Sequence, residues 1–353
     1  MASSDPLTED DFENAATPRS ATTFQRIVSA PRQHRTPRRH RSVVIVGGVI
    51  AAAAAIAASA VAFSVMPPAA QSTEATPTML KYTLAGYSHP VSQKRLPSAH
   101  PELLALAKLA ARQTEPKIAA NSVGYVVTRE WYMSTAVGGG TSVSVLTPED
   151  DQTWTSPQGQ MTQIRRQGKP QDLSPVGSPS DLLRAAESGA VEYKFSARTA
   201  TTYGPLVQHL STTPSVLRSQ LTDAADPGAF KNWSMQYYLL NTIASLQHQV
   251  VSPDLEAALW RVLAAQSGIE YLGRVRDRAG REGEAICIDS SGAGQERLVL
   301  IISPKTGMLL GEEDLFTSNP GGFTIKSYPA VKGYITYLGA SWVGKMGSTN
   351  PEH

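Results

Sequence analysis

The feature that most constrains this chain is an uncharged run at residues 43–65, bounded by Val43 and Val65, reading VVIVGGVIAAAAAIAASAVAFSV. As a helix it is about 35 Å long, enough to cross a hydrocarbon core of about 30 Å with some tilt. Arg32, Arg35, Arg38, Arg39 and Arg41 crowd its N-terminal side, and Pro67 and Pro68 follow it. Arginine beside a span marks the cytoplasmic flank, so residues 1–42 are expected inside and the rest outside, on the plasma membrane. A cleaved signal peptide has a shorter apolar core of about 7–15 residues. Arg38-Arg39 suggests a twin-arginine leader, but His40, Arg41 and Ser42 follow where that signal turns apolar. Gly47 and Gly48 with Ala51 and Ala52 form small-xxx-small pairs through which such helices self-associate.

The 353 residues of the chain divide by composition around this run. The expected order is a mostly disordered cytoplasmic tail (1–42), the span (43–65), a Pro-rich linker (66–97), an extracytoplasmic domain (98–346) and a disordered end (347–353). The tail holds seven Arg and five acidic residues; the part after the span carries 25 basic and 25 acidic residues. A neutral exterior lacks the basic footprint that nucleic acid requires. One cysteine, Cys287, permits no intrachain disulfide and no Cys-based metal cluster, and lies between two isoleucines as a small buried residue would.

Within the outer part, 101–114 reads as an amphipathic helix, with strands at 124–133, 141–146, 152–155 and 160–167. Pro148-Glu149-Asp150 is expected to turn between the second and third of these. Residues 169–203 carry few signals beyond a short helix at 181–187. Thr213-Pro214 and Ser252-Pro253 then pair an N-cap hydroxyl with a proline at the first helical position. Apolar spacing places helices at 233–249 and 253–267, with Gly268 stopping the second. From Ile269 the period becomes that of strands: 270–276, 284–289, 297–303, 308–316, 323–328 and 334–343, joined by Gly-containing turns. The fold class is therefore α+β, an antiparallel sheet packed by helices.

Residues 253–268 (PDLEAALWRVLAAQSG), 275–286 (VRDRAGREGEAI), 297–313 (RLVLIISPKTGMLLGEE) and 210–221 (LSTTPSVLRSQL) resemble a family of actinobacterial single-pass membrane proteins. That family has no assigned activity, so the resemblance supplies no catalytic residue and implies only an envelope context, with some relatives beside sigma-factor regulators. The helices over a long antiparallel sheet also resemble the half-barrel lipoprotein-carrier fold, which implies a groove for an apolar ligand.

Motifs for chemistry are sparse. There is no G-x-S-x-G, no H-E-x-x-H and no calcium loop in the sequence, and Gly138-Gly139-Gly140 lacks the Lys of a phosphate loop. His89, His100, His209 and His248 read as isolated surface residues, Glu312-Glu313-Asp314 as a solvated strand end, and Arg274, Arg276, Arg278 and Arg281 as a solvated face. Trp131, Tyr132 and Trp154 read as packing residues. No catalytic, cofactor or metal-binding residue is assigned. The expected function is a membrane-anchored binding or sensing module for an apolar ligand or an envelope protein. The alternatives are an anti-sigma-type regulator acting through residues 22–30 of the tail and, behind it, a tethered hydrolase.

Overall fold

The computed structural model describes residues 46–47, 78–84, 96–115, 118–138, 141–168, 171–172, 191–198, 203–223, 233–290, 296–319, 325 and 327–351. The tail, the helix at 181–187 and all of the expected span but Val46–Gly47 lie outside them. Those two residues form a short strand β1 paired with Ser134 and Thr135, where the sequence predicts part of a spanning helix. Among the described residues no helix is long and apolar enough to cross a membrane.

The remaining strands are β2 (Val123–Gly138), β3 (Thr141–Thr155), β4 (Gln160–Gln167), β5 (Gln171–Asp172), β6 (Val191–Arg198), β7 (Glu270–Arg276), β8 (Glu282–Asp289), β9 (Glu296–Ile302), β10 (Leu309–Phe316) and β11 (Ala330–Val343). They join one antiparallel sheet in the order β6-β4-β3-β2-β11-β10-β9-β8-β7, with β1 on β2 and β5 on β3. The helices are α1 (His100–Ala110), α2 (Pro214–Asp223), α3 (Met235–Leu246) and α4 (Pro253–Ala264). The α+β expectation agrees with this architecture, and the meander β7 to β11 follows the turn signals closely.

Local chemistry explains the helix boundaries. Ser234 and Ser252 accept from the amides of Tyr237 and Leu255 at 3.2 and 3.3 Å, which satisfies donors left free at the starts of α3 and α4. Gly268, at φ +81°, takes the chain out of α4 into β7. Leu255, Ala258, Leu259, Val262 and Leu263 put an apolar stripe of α4 against Ile286, Leu300 and Ile302 of the sheet. Trp260 is fully buried there and donates to the Gly307 carbonyl at 2.6 Å.

Several expectations need correction. Pro148-Glu149-Asp150 runs through the middle of β3 rather than turning. The Pro148 carbonyl accepts from Gly168 just beyond the end of β4, so proline's missing N–H falls where no ladder bond is lost. Residues 323–328 contain no strand where they are described. Strand β6 was hidden in the segment with few signals, although VEYKFSAR alternates strictly. Part of the expected linker, residues 78–84, is docked on the sheet, and Pro351 forms a bridge with Val343.

Candidate functional site

Alternation along three neighbouring strands fixes which side chains share a side of the sheet. In β2 Thr128, Glu130 and Tyr132 fall together; in β3 Glu149, Asp151 and Thr153; in β4 Gln163, Arg165 and Gln167. Register then lines up Gln167, Glu149, Glu130, Ile335, Glu312, Leu300 and Ile286 as one row from β4 to β8. A second row runs Arg165, Asp151, Thr128, Tyr337. This is the side that carries the helices, since Ile286, Leu300, Ile335 and Tyr337 belong to the same apolar core as α1, α3 and α4. The helix-facing side is thus aliphatic at β8 and β9 and charged from β10 to β4.

In the charged half Arg165 is the hub. Its Nε lies 2.9 Å from Glu149 Oε2 and its terminal nitrogen 2.8 Å from Asp151 Oδ2, and its guanidinium sits 5.5 Å from the centre of the Tyr132 ring. Gln163 donates to Asp151, Gln167 to Glu149, and Thr128 and Tyr132 to Glu130. Burial raises the Glu149 carboxyl to about 7 against the pull of Arg165. Glu130 is pushed well up by burial and then by Asp151, and Asp151 by burial despite Arg165. Beside this network Tyr203 and His248 pack with ring centres 3.9 Å apart and planes tilted by 33°. Both are buried, and neither nitrogen of His248 has a hydrogen-bond partner. Burial and then Arg165 hold that imidazole well below its ordinary range, so it is neutral.

Towards the aliphatic half stands a second acidic group. Glu256 enters from α4, where Gln247 Nε2 at 2.6 Å and the Leu309 amide at 3.0 Å donate to its carboxylate. Burial raises it to about 8. Glu312 on β10 is pushed well up by burial and then by Asp314. Tyr337, fully buried on β11, lies within the field of Glu312, Glu130 and Glu256. Lys332 is 2.8 Å from Asp314 and 3.1 Å from Glu296.

The opposite side of the sheet is apolar, with Trp131, Cys287, Val299, Ile301, Leu315 and Tyr334 in one cluster. Residues 78–84 strap across it. The amides of Thr83 and Leu84 donate to the carbonyls of Arg274 and Leu272 at 3.0 Å, and Tyr82 donates to Glu313 at 2.7 Å. Glu313 also pairs with Arg278, whose guanidinium lies 3.9 Å from the Tyr334 ring centre. Gly273, at φ +88°, makes room: a Cβ there would lie 2.2 Å from Thr83 Oγ1.

Sequence expectations meet this geometry unevenly. Glu312, Glu313 and Asp314 are all buried, not solvated, because they sit mid-sheet with helices on one side and the strap on the other. His248 is buried rather than exposed, whereas His209 is exposed and His100 is exposed with Nδ1 2.7 Å from the Ala264 carbonyl. Arg274 and Arg276 are exposed as expected; Arg278 is not. Trp131, Tyr132, Trp154 and Cys287 are buried, and burial pushes the Cys287 thiol to about 12, leaving it unreactive. Among the described residues no group of three or more His, Cys, Asp or Glu is disposed to hold a metal ion. Arg165 and the carboxylates around it escaped the sequence reading; the alternating polar residues of QMTQIRRQ were the available signal.

No protein family matches the chain, and no curated protein does. Among solved structures it is similar to MucB in complex with MucA(peri), at TM-score 0.26 and 10% identity over 72% of this chain and 57% of that one. It is also similar to the Pseudomonas aeruginosa MucA/MucB complex, at TM-score 0.24 and 11% identity over 72% and 59%. The chain thus spans under two thirds of those chains. A likeness at these scores carries no functional argument, which rests on the side chains alone.

Proposed function

We propose that this chain is an envelope binding or sensing module that passes on a change in its sheet rather than turning over a substrate. The observation that carries the reading is the strap: residues 78–84, the described stretch that follows the apolar run, are bonded to β7 and buried through Tyr82 against Glu313. A displacement of β7 therefore passes to residues 83 and 84 through backbone hydrogen bonds.

The described side chains support a non-catalytic reading. His100 is 2.7 Å from the Ala264 carbonyl, His248 is packed on Tyr203 and neutral, and Cys287 is a buried thiol. A partner protein fits better than an acyl chain, because helices fill the aliphatic half of the helix-facing side and charge lines the other. The exposed apolar side chains Leu104 on α1 and Val216 on α2 are the places to look for it.

The test uses the full chain in its native membrane. Serine- and cysteine-directed activity probes should label it no more than a denatured control, and a photo-crosslinker at Leu104 or Val216 should yield one discrete adduct. Stoichiometric probe labelling of the native chain alone would overturn the reading, as would protease protection that places residues 78–351 inside the cell.

A further inference from the structure

We propose that Glu130, Glu256 and Glu312 form a proton-binding site between α4 and the sheet, and that emptying it releases α3 and α4. This rests on the sensing reading and names the stimulus as a rise in pH. Three buried carboxyls are contributed by three elements, β2, β10 and α4. Glu130 and Glu312 flank Ile335 in one row of the sheet, and Glu256 descends on the same core from α4. All three are buried, at 0, 3 and 0% exposure for Glu130, Glu312 and Glu256. The Tyr337 hydroxyl, which lies within the field of all three, has no hydrogen-bond partner, nor has Glu312 Oε2.

Among the described residues, the groups facing this site supply no cation beyond those already held by carboxylates. From β3 and β4 come Glu149, Asp151 and Arg165, whose guanidinium is held by the two carboxylates. From β10 and β11 come Asp314 and Lys332, whose ammonium is held by Asp314 and by Glu296 of β9. Gln247, which follows α3, and the Leu309 amide donate to Glu256, while Thr128 and Tyr132 donate to Glu130. Tyr237 of α3 and His248 are neutral. Carboxylates ionised in this buried interface would lose their hydration, so protons occupy the site while the helices are docked. Burial puts the Glu256 carboxyl at about 8, so its proton is released as pH rises through that value, and burial also pushes Glu312 well above its ordinary range.

The site is coupled to what covers it. Glu256 lies in the first turn of α4, four residues from Trp260, and α4 packs on the sheet through the same stripe. Exposure to water returns Glu256 to its ordinary range near 4.5, so deprotonation favours the lifted helix. For Glu256 alone, the equilibrium constant for opening rises about 200-fold between about pH 5.5 and 8.5.

Hydrogen exchange of the full chain in detergent, read by mass spectrometry and corrected for intrinsic exchange rates, tests this. Opening of residues 235–264 should increase by at least about 100-fold from pH 5.5 to 8.5. Glu256→Gln keeps an acceptor for the Leu309 amide and mimics the protonated form, so its rise should be at least about ten-fold smaller. Glu312→Gln gives the same reading independently, should the first variant misfold. Opening that does not rise with pH, or a rise unchanged in both variants, would overturn the proposal. Neither result bears on activity-probe labelling, so the sensing reading stands or falls separately.

Discussion

The two halves of the helix-facing side share one register and differ in what they place on it. At β8 and β9 the row carries Ile286 and Leu300; from β10 to β4 it carries Glu312, Glu130, Glu149 and Gln167, with Ile335 alone among them. The same helices cover the aliphatic half and reach across to Tyr337. The aliphatic half holds them by area removed from water, which responds weakly to pH. The charged half contributes little net stability, because desolvation of each ion consumes most of what pairing returns. Its value lies in sensitivity: one proton changes its energy by more than one methyl group changes the other half's.

Breaking the hub should have the largest effect. Arg165→Met leaves Glu149 and Asp151 facing each other without a cation and should cost about 3–5 kcal/mol at neutral pH, measured by urea unfolding of the full chain. Adding Glu149→Gln and Asp151→Asn to that variant should restore most of the loss, which separates a lost pair from lost packing. On the other half, Leu300→Ala creates a cavity beneath α4 and should cost about 3 kcal/mol, equally at pH 6 and pH 8. That constancy, set against the pH-dependent cost of Arg165→Met, is the sharpest form of the contrast. Ser252→Ala removes the cap of α4 and should cost about 1 kcal/mol while increasing hydrogen exchange chiefly in the first turn of the helix.

The aliphatic half was legible in the sequence. The α4 stripe, its Ser-Pro start, its Gly stop and the meander after it follow from spacing and turn chemistry, and those boundaries agree with the structure to within a few residues. The charged half was not. A strand whose inward positions are Glu, Asp, Gln and Arg presents the pattern of a solvated strand, and only the partner strands reveal that both sides are covered. Pro148 added to this by imitating a turn, and the acid run at Glu312 imitated a surface. The strap was hidden for another reason: a Pro- and Ser-rich stretch has no period, and Gly273, which makes room for it, lies about 190 residues away in the chain. Hydrophobic period reports burial only where the buried residues are hydrophobic.

The most direct measurement is the stability of the full chain in detergent against urea, from about pH 5.5 to 8.5. Glu256 is raised from 4.5 to about 8 in the fold, so the folded chain keeps a proton that the unfolded chain has lost. Stability should therefore fall as pH rises across this window, by about 1.4 kcal/mol per pH unit from Glu256 alone, with the slope flattening as pH passes about 8. Glu256→Gln should reduce the slope by that amount below pH 8. Stability that is flat or rises with pH over the window in the wild-type chain would contradict the account, because the buried carboxyls would then be ionised in the fold.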